Sequence, residues 1–146
     1  MIYTVSGDAM KEIIIKIETE AVGKGRPRFT RYGSTYTPTK TKNFEKLIAN
    51  EYILQSNNYI FDKVPINVSV IIEKNIPKSA TKKHRAELLS QKWNITKPDI
   101  DNCLKSILDA LNGVAYQDDN QVSSISAYKI NSTRNFITIK IAELSS

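Results

Sequence analysis

Residues 97–113, KPDIDNCLKSILDALNG, constrain the fold more than any other stretch. Leu104, Ile107, Leu108 and Leu111 recur at helical spacing and form one apolar stripe. Pro98 biases Lys97 toward an extended backbone, so the helix starts beyond it. Asp99 or Asp101 can cap its first turn, and Gly113 can adopt the left-handed conformation that ends it. A helix with one apolar face needs a sheet or another helix to cover that face. The flanking sequence supplies both. Residues 13–19 alternate as a strand, and residues 22–40 read as a long basic loop or loose hairpin. Residues 39–56 carry Phe44, Leu47, Ile48 and Tyr52 near one helical face, with Thr41 as the expected N-cap. Residues 64–73 form a strand, and residues 79–92 a basic helix capped by Ser79 or Thr81. A turn over 114–122 leads to strands at 122–130 and 136–144, joined by the polar segment 131–135. The order β–loop–α–β–α–α–β–β predicts an α+β fold. It is a single small domain, residues 1–146, with a mixed β-sheet packed with helices.

Charge is distributed unevenly along this frame. The chain carries 21 Lys+Arg against 15 Asp+Glu, a formal +6. Residues 24–46 contain Lys24, Arg26, Arg28, Arg31, Lys40, Lys42 and Lys46 against Glu45 alone, and residues 74–97 are basic in the same way. Such clusters attract a polyanion, nucleic acid first. Lys24, Arg26, Arg28 and Arg31 are the expected contacts to a phosphate backbone. No apolar run approaches the roughly 20 residues that cross a bilayer, and the N-terminus does not read as a signal peptide. The single cysteine, Cys103, excludes an internal disulfide and a multi-cysteine zinc site. A cytoplasmic address is the default expectation.

Between the two basic windows stand Asp99, Asp101, Asp109, Asp118 and Asp119. Like charges gathered this way are best explained by a cation among them. An oxygen-rich, nitrogen-poor ligand set suits Mg²⁺, with Mn²⁺ as a substitute. Such an ion activates water and stabilises charge on a phosphodiester, so carboxylates can serve a polyanion-binding protein. Lys105 and Asn102 stand close in sequence and can supply positive charge and orientation. The plainer alternatives are a helix cap at Asp99 or Asp101, an i,i+4 pair between Lys105 and Asp109, and a simple turn at Asp118-Asp119-Asn120.

KPDIDNCLKSILDALNGVAYQDDNQV, residues 97–122, resembles the signature of the RusA family of Holliday-junction resolvases, the crossover junction endodeoxyribonucleases. The shared features are a D-x-D-N opening, a lysine one turn into the helix, an L-D-A-L-N-G end and a D-D-x-Q-V turn. The upstream GKGRPRFTRYGSTYTPTKT is similar too, and the resemblance spans about residues 12–142. It implies a RusA-like, homodimeric, Mg²⁺-dependent endonuclease. Such an enzyme cuts two opposed strands of four-way junction DNA symmetrically in recombination and repair, leaving 5′-phosphate ends. It implies that Asp99, Asp101 and Asp119 bind the metal and converge on one site, with Lys105 as the essential lysine. Asp118 matches a less critical neighbour, and Asp109 a position of open role. Cys103 stands where an apolar residue such as leucine is usual. The alternatives are a general branched-DNA or flap nuclease and a non-catalytic DNA-binding protein.

VGKGRPRF lacks the full phosphate-loop spacing, so no nucleotide cofactor is expected. His84 has no second histidine to form a metal motif. Phe29, Tyr32 and Tyr36 can stack on splayed bases or pack the hairpin. Trp93 is expected to anchor the core, with a wedge into unstacked DNA as the alternative.

Overall fold

The computed structural model describes residues 2–5, 10–25, 28–36 and 38–145; at 2–5, 28 and 36 only the backbone is described. The strands are β1 (Ile2–Val5), β2 (Met10–Ile17), β3 (Arg28–Phe29), β4 (Thr35–Tyr36), β5 (Ile66–Asn75), β6 (Val122–Ser132) and β7 (Phe136–Glu143). The helices are α1 (Thr39–Ser56), α2 (Lys82–Gln91) and α3 (Ile100–Leu111). Five strands form one mixed sheet in the order β1-β2-β7-β5-β6, and β3-β4 is a separate small hairpin. Among the described strands only β5 and β6 pair in parallel, and the chain between them carries α2 and α3. This is the expected α+β domain. No helix among the described residues is long and apolar enough to cross a membrane.

Alternation along three adjacent strands builds the floor of the core. Ile13 pairs with Ile141, which pairs on its other side with Val68; Ile15–Ile139–Val70 and Ile17–Ile137–Ile72 form the next two rows. All nine side chains are buried. Every second residue of a strand faces the same side, so the rows present a continuous apolar surface. Phe44, Ile48 and Tyr52 of α1 and Cys103, Ile107 and Leu111 of α3 join them in one buried cluster. Each fully buried side chain of this size contributes about 1.5–3 kcal/mol.

Several sequence expectations shift locally. β2 starts at Met10 and ends at Ile17, earlier than the expected 13–19, and β1 precedes it unforeseen. The basic loop does contain a hairpin, β3–β4. α1 spans the expected 39–56, but its N-cap is Pro38. Thr41 is instead buried inside the helix, and its hydroxyl accepts a hydrogen bond from the Gly25 N–H at 3.2 Å. Its role is to tie the basic loop to α1. Thr81 caps α2 as expected, accepting from the His84 N–H at 3.1 Å.

Trp93 does not anchor the core. Its backbone forms an isolated antiparallel bridge with Ile130 on the outer edge of β6, and its side chain is 53% exposed. The core was already filled by aliphatic rows and by Tyr52, Tyr116 and Phe61, each fully buried.

Candidate active site

The candidate site is built around the first turn of α3. Asp99 occupies the N-cap position with an extended backbone, yet its side chain makes no capping hydrogen bond. Asp101 follows in the first turn, and both residues are exposed. Neither carboxylate is therefore consumed in closing the helix. Negative charge is also favoured here by the positive end of the helix dipole.

The backbone that delivers Asp99 is held by two lysines from the sheet. Lys129 of β6 donates to the carbonyl of Thr96 and, at 2.8 Å, to that of Pro98. Lys74 of β5 donates to the carbonyl of Lys97 and, at 3.1 Å, to the Thr96 hydroxyl. Burial and the nearby Lys129 charge hold the Lys74 ammonium below its ordinary range. These cations and the carboxylates of Asp101 and Asp99 all act on the Cys103 thiol beneath them. Burial dominates there and pushes that thiol up to about 11, so Cys103 is a buried, inert packing residue.

A groove of about 720 Å³ leads to Asp99, and Lys24, Lys40, Lys74 and Lys97 line it together with Asn102. The basic loop reaches α3 through the Lys24 N–H, which donates to the Asn102 carbonyl at 3.0 Å. That approach is close: a Cβ on Gly23 would lie 3.1 Å from the Asn102 Cβ and 3.2 Å from that of Pro98, so a larger residue would require the neighbours to give by a few tenths of an ångström.

Lys24 itself is not a free phosphate contact. Its ammonium bridges Glu45 at 2.6 Å and Asp109 at 3.0 Å. Burial works against the charge, but the hydrogen bonds to Glu45 and Asp109 more than compensate and raise its pKa. The pair thus ties the loop to α1 and α3. Arg31 is exposed on the turn between β3 and β4. Arg26, another expected contact, lies outside the described residues, as does the side chain of Arg28.

The remaining acidic residues stand at the other end of α3. Asp101 and Asp109 are eight positions apart, about 12 Å along the helix. Asp119 feels the charge of Asp109 and lines a hollow with Leu108, Val122 and Ile125. Among the described residues, no three His, Cys, Asp or Glu side chains stand close enough together to hold a metal ion. Asp99, Asp101 and Asp119 are thus not drawn into one cluster; the length of α3 keeps the pairs apart. Lys105 projects between them, exposed and without an ion pair among the described residues. Asp109 pairs with Lys24, not with Lys105.

The turn carrying Asp118 and Asp119 is rigidly fixed. Gly113 has φ +76°, and the Tyr116 hydroxyl donates to the Leu108 carbonyl at 3.0 Å. Asp118 and Gln121 form a capping box around the 3-10 turn Asp119–Gln121. Buried Gln121 also donates to the carbonyls of Asp62 and Val64, at 2.8 and 3.0 Å. Asp118 is therefore structural. Its pKa is lowered by the Asn120 N–H and by a hydrogen bond with Asp119, while Asp119 is raised by that same bond, by slight burial and by the charges of Asp118 and Asp109. Asp119 is exposed and is the member of the pair with excess negative potential around it.

The donors available are hard oxygens, so the donor chemistry fits Mg²⁺ or Mn²⁺. Mg²⁺ is often held by one or two carboxylates, with water and substrate phosphate completing the shell. Asp99 and Asp101 can meet that need; Asp119 would join only by movement or from a second copy.

The chain matches the family Endodeoxyribonuclease RusA over residues 18–142. It is 30% identical over 135 residues to the uncharacterized protein YqaN of Bacillus subtilis (strain 168), covering 86% of this chain and 92% of that one. It is also 36% identical over 53 residues to the crossover junction endodeoxyribonuclease rusA of Lactococcus phage r1t, a match covering 36% of this chain and 40% of the phage protein. With the family match spanning all three helices, β5, β6 and all but the last residue of β7, this chain belongs to the RusA endodeoxyribonuclease family.

Proposed function

We propose that this chain is a Mg²⁺-dependent endonuclease that resolves four-way DNA junctions as a homodimer. The observation that carries the reading is the uncapped carboxylate of Asp99, beside Asp101, at the head of a lysine-lined groove. A bound ion would activate the attacking water and neutralise the leaving 3′-oxygen. Asp99 and Asp101 would hold the ion, with Asp119 as the third acidic participant. Lys105 would add positive charge as negative charge builds on the scissile phosphate. Lys40, Lys97 and Arg31, all exposed, would track the DNA backbone beside them.

A junction must lose two strands to be resolved, and one chain offers one Asp99–Asp101 pair. A C2 dimer matches the approximate twofold symmetry of a folded junction and supplies two. Sizing by light scattering is expected to give twice the chain mass. The decisive experiment incubates the protein with synthetic four-way junction, flap, duplex and single-stranded DNA, with and without Mg²⁺. Paired cuts in the junction alone support the reading. Equal cutting of flaps indicates a general branched-DNA nuclease, and binding without cutting in Mg²⁺ or Mn²⁺ indicates a non-catalytic binder.

Binding should carry its own signature. The double substitution Lys40→Ala/Lys97→Ala is expected to weaken junction binding. It should also flatten the slope of log K against log salt by roughly two, about one unit for each phosphate that is no longer neutralised. An unchanged slope, measured by titration across a salt series, removes the groove from the DNA path.

A further inference from the structure

We propose that Trp93 and Tyr128 form a stacking platform for an unpaired nucleobase next to the Asp99–Asp101 pair, and that this platform contributes to selection of branched over regular DNA. The inference rests on the nuclease reading above and adds to it a determinant of substrate structure.

The two rings lie at the β6 edge with centroids 5.9 Å apart and planes inclined by 35°. Trp93 is 53% exposed and Tyr128 47%. Exposed aromatics of this size beside acidic residues contribute little to folding. They line a hollow of about 420 Å³ together with Asp99, Asp101, Ala127 and Lys129. One open surface thus combines two aromatic faces with the carboxylates assigned to the scissile phosphate.

The platform is held by backbone, not left on a loose loop. The Asn94 N–H donates to the Lys129 carbonyl at 2.9 Å, and the Asn131 N–H to the Lys92 carbonyl at 2.7 Å. Asn131 adds side-chain bonds to the carbonyls of Leu88 and Trp93, at 2.9 and 3.3 Å. Segment 92–94 therefore extends the sheet edge and fixes where the indole stands.

The surrounding charge selects the occupant. The Lys92 ammonium lies over the Trp93 ring, 4.7 Å from its centroid, Lys129 lines the hollow, and Lys97 lines the neighbouring groove that also reaches Asp99. An aromatic face bordered by ammonium groups suits a ligand that is flat and apolar in one part and anionic in the next, which describes a nucleotide. In a regular duplex both faces of each base are already stacked, and a base must be torn out to reach a protein ring. At a branch point one stacking partner is missing, so the energy of exposing that face has already been spent.

Trp93 is the only tryptophan in the chain, so its fluorescence reports this position alone. The test uses wild-type full-length protein in Mg²⁺-free buffer. Free protein should show the emission of a water-exposed indole accessible to acrylamide. Adding four-way junction should quench that emission and shield it from acrylamide, whereas perfect duplex of equal length should do so far less. Trp93→Ala should weaken junction binding about 5- to 100-fold, Trp93→Phe should recover part of the loss, and duplex affinity should stay nearly constant. Circular dichroism melts check that the variants fold; the wild-type quenching needs no variant. The platform is overturned if the indole of free protein is already shielded, as by a second copy, or if junction leaves its emission unchanged. It is equally overturned if folded Trp93→Ala binds junction as wild type. Wild-type cleavage in Mg²⁺, measured in parallel, separates the two ideas. Cutting without quenching removes the platform and keeps the nuclease, and quenching without cutting does the reverse.

Discussion

Asp99→Asn and Asp101→Asn should each reduce junction cleavage by at least about 10²-fold, the scale on which loss of one transition-state charge stabiliser acts. Junction affinity should hold or improve, because each change removes a negative charge facing DNA. Folding should survive, since both residues are exposed and neither side chain caps α3. Asn is also as good an N-cap as Asp, so Asp99→Asn places no new demand on the helix. The adjacent pair in the turn provides an internal control. Asp119→Asn should be as damaging as the first two, while Asp118→Asn should leave most activity, because an amide oxygen still accepts from the Asn120 N–H that Asp118 now satisfies. The pH profile follows from the same pair. Asp119 holds its proton more tightly than an ordinary carboxylic acid because Asp118 hydrogen-bonds to it and Asp118 and Asp109 repel its charged form. As pH falls, Asp119 is protonated before Asp118, so the acid limb of cleavage should lie higher than an unperturbed aspartate in its place would set it. Single-turnover rates with saturating Mg²⁺ check these outcomes; full activity in Asp101→Asn removes the assignment at the helix start.

The sequence made α1, β5, α3 and β7 legible because they carry their own periodicity and a stop signal, whereas α2, with no buried face, was legible through its cap at Thr81. Gly113 after the Leu104–Leu111 stripe is the clearest: the residue that ends the helix is also the one with φ +76°. What escaped depended on partners distant in sequence. β1 is a short edge strand defined by its pairing with β2, from Ile2 opposite Ile13 to Val5 opposite Met10. Thr41 is a chemically sensible N-cap, but the Gly25 N–H competes for its hydroxyl. Trp93 looked like core because large aromatics usually are; three rows of Ile and Val left it no room.

At the site, residue types were easier to read than their grouping. The acidic and basic windows announced themselves as runs of charge. The separation of Asp101 from Asp109 and Asp119 follows from helix rise, yet the turn geometry that leaves Asp119 beside Asp109 is set by Gln121 reaching across to Asp62 and Val64. Lys24 looked like one more phosphate contact in a basic loop. Its two carboxylate partners lie 21 and 85 positions away, and no local pattern points to them. Lys129 did leave a signal: it is the sole charged residue in β6, VSSISAYKINS, where a half-buried strand would otherwise exclude it.

Lys129 therefore yields the second large effect. Its ammonium binds the carbonyls of Thr96 and Pro98, immediately before Asp99, and places positive charge beneath the carboxylate pair. Lys129→Met keeps the length and apolar stem but removes donors and charge. The missing hydrogen bonds should cost about 1 kcal/mol of stability, since much of the segment can rebond to water. The effect on cleavage should be larger, about 10- to 100-fold, the range seen when a group that orients a metal ligand is removed. A purely structural role would lower the melting temperature and leave the metal dependence untouched. A positioning role predicts more: the Mg²⁺ concentration giving half-maximal rate should change, and Lys129→Arg, which restores donors and charge, should recover part of the rate. Lys74→Met removes the adjacent bond to the Lys97 carbonyl, so the double variant should lose more than either single one. Cleavage rates measured across a Mg²⁺ series, alongside thermal melts, distinguish the two roles. Wild-type metal dependence in folded Lys129→Met would show that Asp99 reaches its working position without help from the sheet.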